Sequence, residues 1–130
     1  INAERTKRNV PPLRRESRLD HIATEHAKLM ANERKLFHIN NPIELQDRIL
    51  EGGDDDENDD HREKRRLAFR RLGMNVGRGT RDQTIKEIHK FMMAALAERN
   101  NMRDNRFLKM GMGTAMSENG VLYLCQIFGG

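Results

Sequence analysis

The closing stretch, RFLKMGMGTAM, then SENG, then VLYLCQIFGG, constrains the fold more than any other part of the chain. Strand-type residues flank Asn119-Gly120, a dipeptide that favours a tight two-residue turn with positive φ, so residues 107–116 are expected to pair with 121–128. A lone hairpin is marginal in water and must lay its apolar face on something else. What precedes it is helical. Leu19, Ile22, Ala23, His26, Ala27 and Met30 fall at helical spacing through about Arg34, behind a capping-box-like start at Ser17 and Asp20. A second long helix, capped by Thr80 or Asp82, would bury Ile85, Ile88, Met92, Ala95 and Leu96. A short polar helix over residues 1–9 stops before Pro11-Pro12. Helices first and a hairpin last predict an α+β fold, with helices packed on a small antiparallel sheet.

At 130 residues the chain fits one domain, and its core must be aliphatic and sulfur-rich, with 8 Met, 5 Phe, 1 Tyr and no Trp. No apolar run approaches the roughly 18 residues that a membrane span needs. A net charge of +4 suits anionic partners, although solubility alone accounts for so modest an excess. The lone Cys125 excludes an internal disulfide and any multi-cysteine metal site, and mid-strand it reads as a small buried hydrophobe. Opening on Ile1 rather than Met, the chain reads as a processed or trimmed piece, so a missing leader says little about its compartment.

Residues 51–61, EGGDDDENDDH, followed by the basic REKRRLAFRR, predict a mobile surface loop over about 51–64, because dense like charge leaves nothing to bury. A calcium loop begins well at Asp54, Asp56 and Asn58. It fails at Asp59, where glycine is needed, and at Arg65, where a bidentate glutamate is needed. Beyond this run lies LGMNVGRG, residues 72–79, whose glycines and arginine suggest a phosphate cradle. Such a cradle leads directly into a helix and carries Lys and Ser/Thr at fixed positions, whereas here helix onset waits for Thr80 to Asp82. A strand fits better.

The two halves together resemble the CAP superfamily of cysteine-rich secretory proteins, venom antigens and pathogenesis-related proteins, in its disulfide-free bacterial form. The resemblance rests on Asn2 and Arg5, Pro11-Pro12-Leu13, Leu19, Ala23, His26-Ala27, Met30 and Phe37-His38 in the first half. In the second it rests on the run from Arg99 to Gly113 and on Gly120, Tyr123, Gln126, Phe128 and Gly129. It implies a three-layer α-β-α sandwich and a protein that is usually extracellular. It also implies that Gly73-Met74-Asn75-Val76-Gly77 is a strand entering the sheet beside a central cleft.

Family members with an intact cleft carry two histidines and two acidic side chains able to hold a divalent metal such as zinc. By resemblance His38 matches the first histidine, while Met74 replaces one acid, Ala95 falls on the other, and Glu98, before Arg99, replaces the second histidine. Zinc needs at least three protein ligands and water, so no metal and no cofactor are expected. His38, Met74, Asn75, Ala95, Glu98 and Arg99 are therefore candidate cleft residues of a packed cleft, in which Glu98 would pair with His38. His26, on the apolar helix face, reads as a core histidine. No serine stands in a nucleophile elbow, and neither stacking aromatics nor a DNA-binding motif supports a specific nucleic-acid partner. The resulting expectation is a non-enzymatic, extracellular domain that binds a lipid, polysaccharide or protein partner. A metal-assisted hydrolase using His38 and Glu98 is the alternative.

Overall fold

A computed structural model describes residues 1–39, 44–45, 47, 71–80, 82–94 and 96–130 of the chain. In order these form α1 (Asn2–Lys7), β1 (Arg14–Arg15), α2 (Ser17–Glu33), β2 (Leu72–Thr80), α3 (Ile85–Ala94), α4 (Leu96–Arg103), β3 (Lys109–Met116) and β4 (Val121–Gly129). The strands make one four-stranded sheet in the order β1-β3-β4-β2, antiparallel except for the short parallel pair β1 and β3.

Both faces of β4 are covered, and this makes the fold three layers rather than two. Tyr123, Cys125 and Ile127 face one cluster with Leu19, Ile22, Ala23, Ala27 and Met30 of α2. Leu124 and Phe128 face the opposite cluster with Ile88 and Met92 of α3, Met102 of α4 and Phe107. Strand side chains alternate, so a strand buried at every position from Tyr123 to Gly129 needs a helical layer on each side. The expected α-β-α sandwich is the observed fold.

Helix ends differ from the sequence reading in instructive ways. Ser17 does not cap α2. It is the first helical residue, Glu16 precedes it with extended backbone, and no side chain caps the helix. Asp20 is drawn away because β1 stops after two residues, leaving the next backbone donor of β3 without a strand partner. Met112 N–H therefore donates to Asp20 Oδ1 at 2.8 Å, and Arg15 Nη2 donates to the same oxygen at 2.7 Å. The other end of α2 closes on left-handed Arg34 (φ 54°), with Lys35 N–H bonded to Met30 O at 3.1 Å. Helix α1 ends at Lys7, short of the predicted residue 9, because Asn9 takes φ 58°. Neither Thr80 nor Asp82 caps α3. Thr84 does, its Oγ1 accepting from Glu87 N–H at 3.2 Å, and of the expected stripe Ile88 and Met92 are buried while Ile85 is 44% exposed. Ala95 lies outside the described residues, as does the acidic stretch expected to be a mobile loop.

The glycine run is a strand, as expected, and its glycines have a use that the sequence reading missed. Gly73, Gly77 and Gly79 share the face of β2 turned to the helices. A Cβ on Gly77 would stand 2.7 Å from Met92 Sδ, and one on Gly73 would stand 3.0 Å from Phe107 Cζ. The run seats α3 and the Phe107 ring ahead of β3 rather than cradling an anion.

The hairpin pairs Lys109–Met116 with Val121–Gly129, close to the predicted register, but its turn is not the two-residue form. Gly120 alone is left-handed (φ 83°), its N–H donates to Ser117 O at 3.0 Å, and Ser117 N–H reaches Val121 O at 2.9 Å. That is the three-residue loop in which the glycine forms a bulge. Gly120→Val is expected to cost about 1 kcal/mol or more in a urea melt, since a β-branched residue resists positive φ. An unchanged midpoint would show that the loop has another conformation to use.

Candidate functional site

The residues that the family resemblance assigns to a cleft begin on the segment that leaves α2. His26, buried on the apolar face as expected, has Nε2 2.8 Å from Phe37 O and sits edge-on to the Phe37 ring, centroids 4.9 Å apart. Two residues on, Ile39 N–H points at Met74 Sδ, 3.4 Å away. His26 and Met74 thus hold residues 37–39 from both sides, and His38 between them is exposed. Met74 itself is 7% exposed, its thioether packed in the α2 cluster with Val76 and Ile127. The structure therefore brings His38 and Met74 into one neighbourhood.

Asn75 is elsewhere. Strand alternation turns it to the opposite face, where it is fully buried in a chain of amides. Asn101 Nδ2 donates to Asn75 Oδ1 at 2.8 Å, Asn75 Nδ2 to Gln126 Oε1 at 3.4 Å, and Gln126 Nε2 lies 3.4 Å from His89 Nδ1. An amide nitrogen can only donate, so in this arrangement His89 Nδ1 accepts and its ring proton sits on Nε2. Buried amides are tolerable only when partnered, and this chain links β2, β4, α3 and α4 across one sheet face. The resemblance includes both Asn101 and Gln126, but nothing in the sequence shows that Asn75 joins them. Arg99 is half-buried on α4. Ala95 and the Glu98 side chain lie outside the described residues.

The chemistry on offer is limited. Burial pushes the Cys125 thiol pKa well up, so the thiol stays protonated and is a poor nucleophile. Among the described residues, no three His, Cys, Asp or Glu side chains come together to hold a metal ion, and no helix is long and apolar enough to cross a membrane.

Comparisons with known proteins agree on one fold. An outer surface protein of Borrelia burgdorferi superposes with a TM-score of 0.73 at 15% identity, over 98% of this chain and 84% of that one. An extracellular Bacillus anthracis protein containing an SCP domain gives 0.67 at 19% identity, over 98% of this chain and 37% of that one. A cysteine-rich secretory protein of Staphylococcus aureus gives 0.63 at 19% identity, over 98% of this chain and 35% of that one. The chain thus spans little more than a third of the latter two. No curated protein sequence matches it. The family model for the cysteine-rich secretory protein family matches residues 1–128, and with the three-layer fold above this establishes that the chain belongs to the CAP family.

Proposed function

We propose that this chain is a non-enzymatic CAP-type binding domain that works outside the cell and engages its partner through its surface and a remodelled cleft. One observation carries the reading. The strand position where the family resemblance puts an acid holds Met74, buried and turned to the Ile39 N–H instead of to a hydrated ion. A thioether there supplies packing, about 1.5–3 kcal/mol for a buried methionine, and no acid–base chemistry. The location rests on the outer-surface and extracellular proteins that share the fold.

The test is zinc calorimetry on three proteins. The natural chain is expected to show no stoichiometric binding. Met74→Glu combined with Glu98→His would give His38 two partners, and this variant is expected to gain zinc affinity. It should also lose about 1–3 kcal/mol of stability, because a carboxylate displaces a packed thioether. Stoichiometric binding by the natural chain, abolished by His38→Ala, would overturn the reading in favour of a metal-assisted hydrolase.

A further inference from the structure

Asn119 is the one asparagine of the chain that is followed by glycine, and it stands exposed at the tip of the closing hairpin. That dipeptide has a chemistry besides its turn preference. An asparagine side-chain amide is an electrophile on which the next backbone nitrogen can close a five-membered ring. A following glycine, with no Cβ, leaves that nitrogen unshielded.

The tip is arranged around Ser117. This residue is buried and fixed at the end of the ladder, its N–H donating to Val121 O at 2.9 Å and its Oγ accepting from Val121 N–H at 3.1 Å. From that post Ser117 O takes the Gly120 N–H at 3.0 Å, and the Ser117 hydroxyl donates to Asn119 Oδ1. Both partners of the ring closure, the amide carbonyl and the attacking nitrogen, are thus tied to one residue. Closure needs the Gly120 proton released and the Asn119 amide turned, and each tie opposes one of these motions.

We infer that Asn119 is a site of spontaneous deamidation and that Ser117 sets how slowly the folded chain undergoes it. In the step, Gly120 N bonds to Asn119 Cγ, the Cγ–Nδ2 bond breaks, and Nδ2 leaves as ammonia with the proton that Gly120 N gives up. Water then opens the cyclic imide. Cleavage of the new Cγ–N bond leaves aspartate, and cleavage of the bond between Asn119 C and Gly120 N leaves isoaspartate. Water is the only co-reactant. Either product puts a carboxylate next to Glu118, which pairs with Arg34 at 3.8 Å at the left-handed end of α2, so the hairpin tip gains a second negative charge. Isoaspartate also adds a methylene to the backbone of a three-residue loop whose bulge depends on Gly120.

The test is prolonged incubation of the full chain at neutral pH, followed by peptide mapping with mass spectrometry, in which the aspartate and isoaspartate peptides elute apart. Conversion is expected at Asn119. Ser117→Ala should react about tenfold faster than the natural chain, the worth of one or two hydrogen bonds. Ser117→Thr keeps the hydroxyl and should retain most of the protection. Thr84→Ala removes the cap of α3 and lowers stability away from the hairpin, so it should leave the rate at Asn119 unchanged. If Ser117→Ala does not fold, the natural chain in urea takes its place and should outpace the folded chain by the same factor or more. No conversion at Asn119 in urea, equal rates in the folded and unfolded chain, a Ser117→Ala rate no higher than the natural one, or an equal gain in Thr84→Ala would overturn the inference.

Discussion

Gly113→Ala is expected to remove about 3 kcal/mol or more of stability, and Gly111→Ala with it to leave no folded protein. These glycines lie on β3 under the first turns of α2. A Cβ on Gly111 would fall on the backbone of Leu19 and Asp20, well inside contact distance, and one on Gly113 would fall on the backbone of Thr24. Side chains can rotate away from an added methyl, but a helix backbone cannot. The only relief is to lift α2, and lifting it would open the cluster that holds Leu19, Ile22 and Ala23 and would pull Asp20 off Met112 N–H. Met112, between the two glycines, faces the other layer and would not compensate. Urea denaturation of the single and double variants checks this. A loss below about 1 kcal/mol for Gly113→Ala would mean that α2 does not ride directly on β3.

Arg5→Met is expected to be nearly as damaging, about 3–5 kcal/mol, although it keeps much of the volume and removes a buried charge. Arg5 lies at the centre of a knot that joins the first and last parts of the chain. Its Nε donates to Pro11 O at 2.7 Å, while its two terminal nitrogens donate to Met102 O, Asp104 O and Phe107 O. Removal takes a donor from four carbonyls, of which Asp104 O keeps Phe107 N–H at 3.2 Å. Each of the others costs about 1–3 kcal/mol if it stays dry, with partial relief where water enters. Arg5→Lys keeps the charge but has three donors on a tetrahedral head, so it cannot serve four carbonyls in the plane of one guanidinium. The expected order of stability in thermal melts is natural chain, then Arg5→Lys, then Arg5→Met. Arg5→Lys equal to the natural chain would show that the charge matters and the fork does not.

Asn2, three residues before Arg5, ties the same region by a different device. Its side chain donates to Leu13 O at 3.1 Å and accepts from Leu13 N–H at 2.8 Å, much as a strand neighbour would. The resemblance singled out both residues without revealing either role. Nothing in the local sequence could, because an arginine on a six-residue polar helix ordinarily points to water. Burial is decided by the carbonyls of α4 and the loop after it, about a hundred residues away in sequence.

The same division runs through the rest of the molecule. The sequence by itself determined what short-range physics governs: the apolar stripe of α2, the closing hairpin with Gly120 at its turn, the strand over Gly73–Gly77, and with them the α+β class. Helical and strand periodicity, together with the positive φ that glycine tolerates, act within a few residues and need no partner. The candidate site was legible only in part. His38 and Met74 were placed together by resemblance, and the structure puts Ile39, the residue after His38, with its N–H 3.4 Å from Met74 Sδ. Asn75, next to Met74, was assigned to the same cleft, yet strand alternation sends it across the sheet to Asn101 and Gln126. Caps were missed where tertiary demand overrode local preference. Asp20 serves β3 instead of its own helix because β1 is too short to do so. Thr84 was overlooked among Thr80, Asp82 and Thr84, although Glu87 three residues on marked it. Only the tertiary structure decided which glycines give room to a helix, which amides find one another, and where a buried guanidinium can be satisfied. Each of these depends on distances between segments far apart in the chain, and such distances are fixed only when the layers pack.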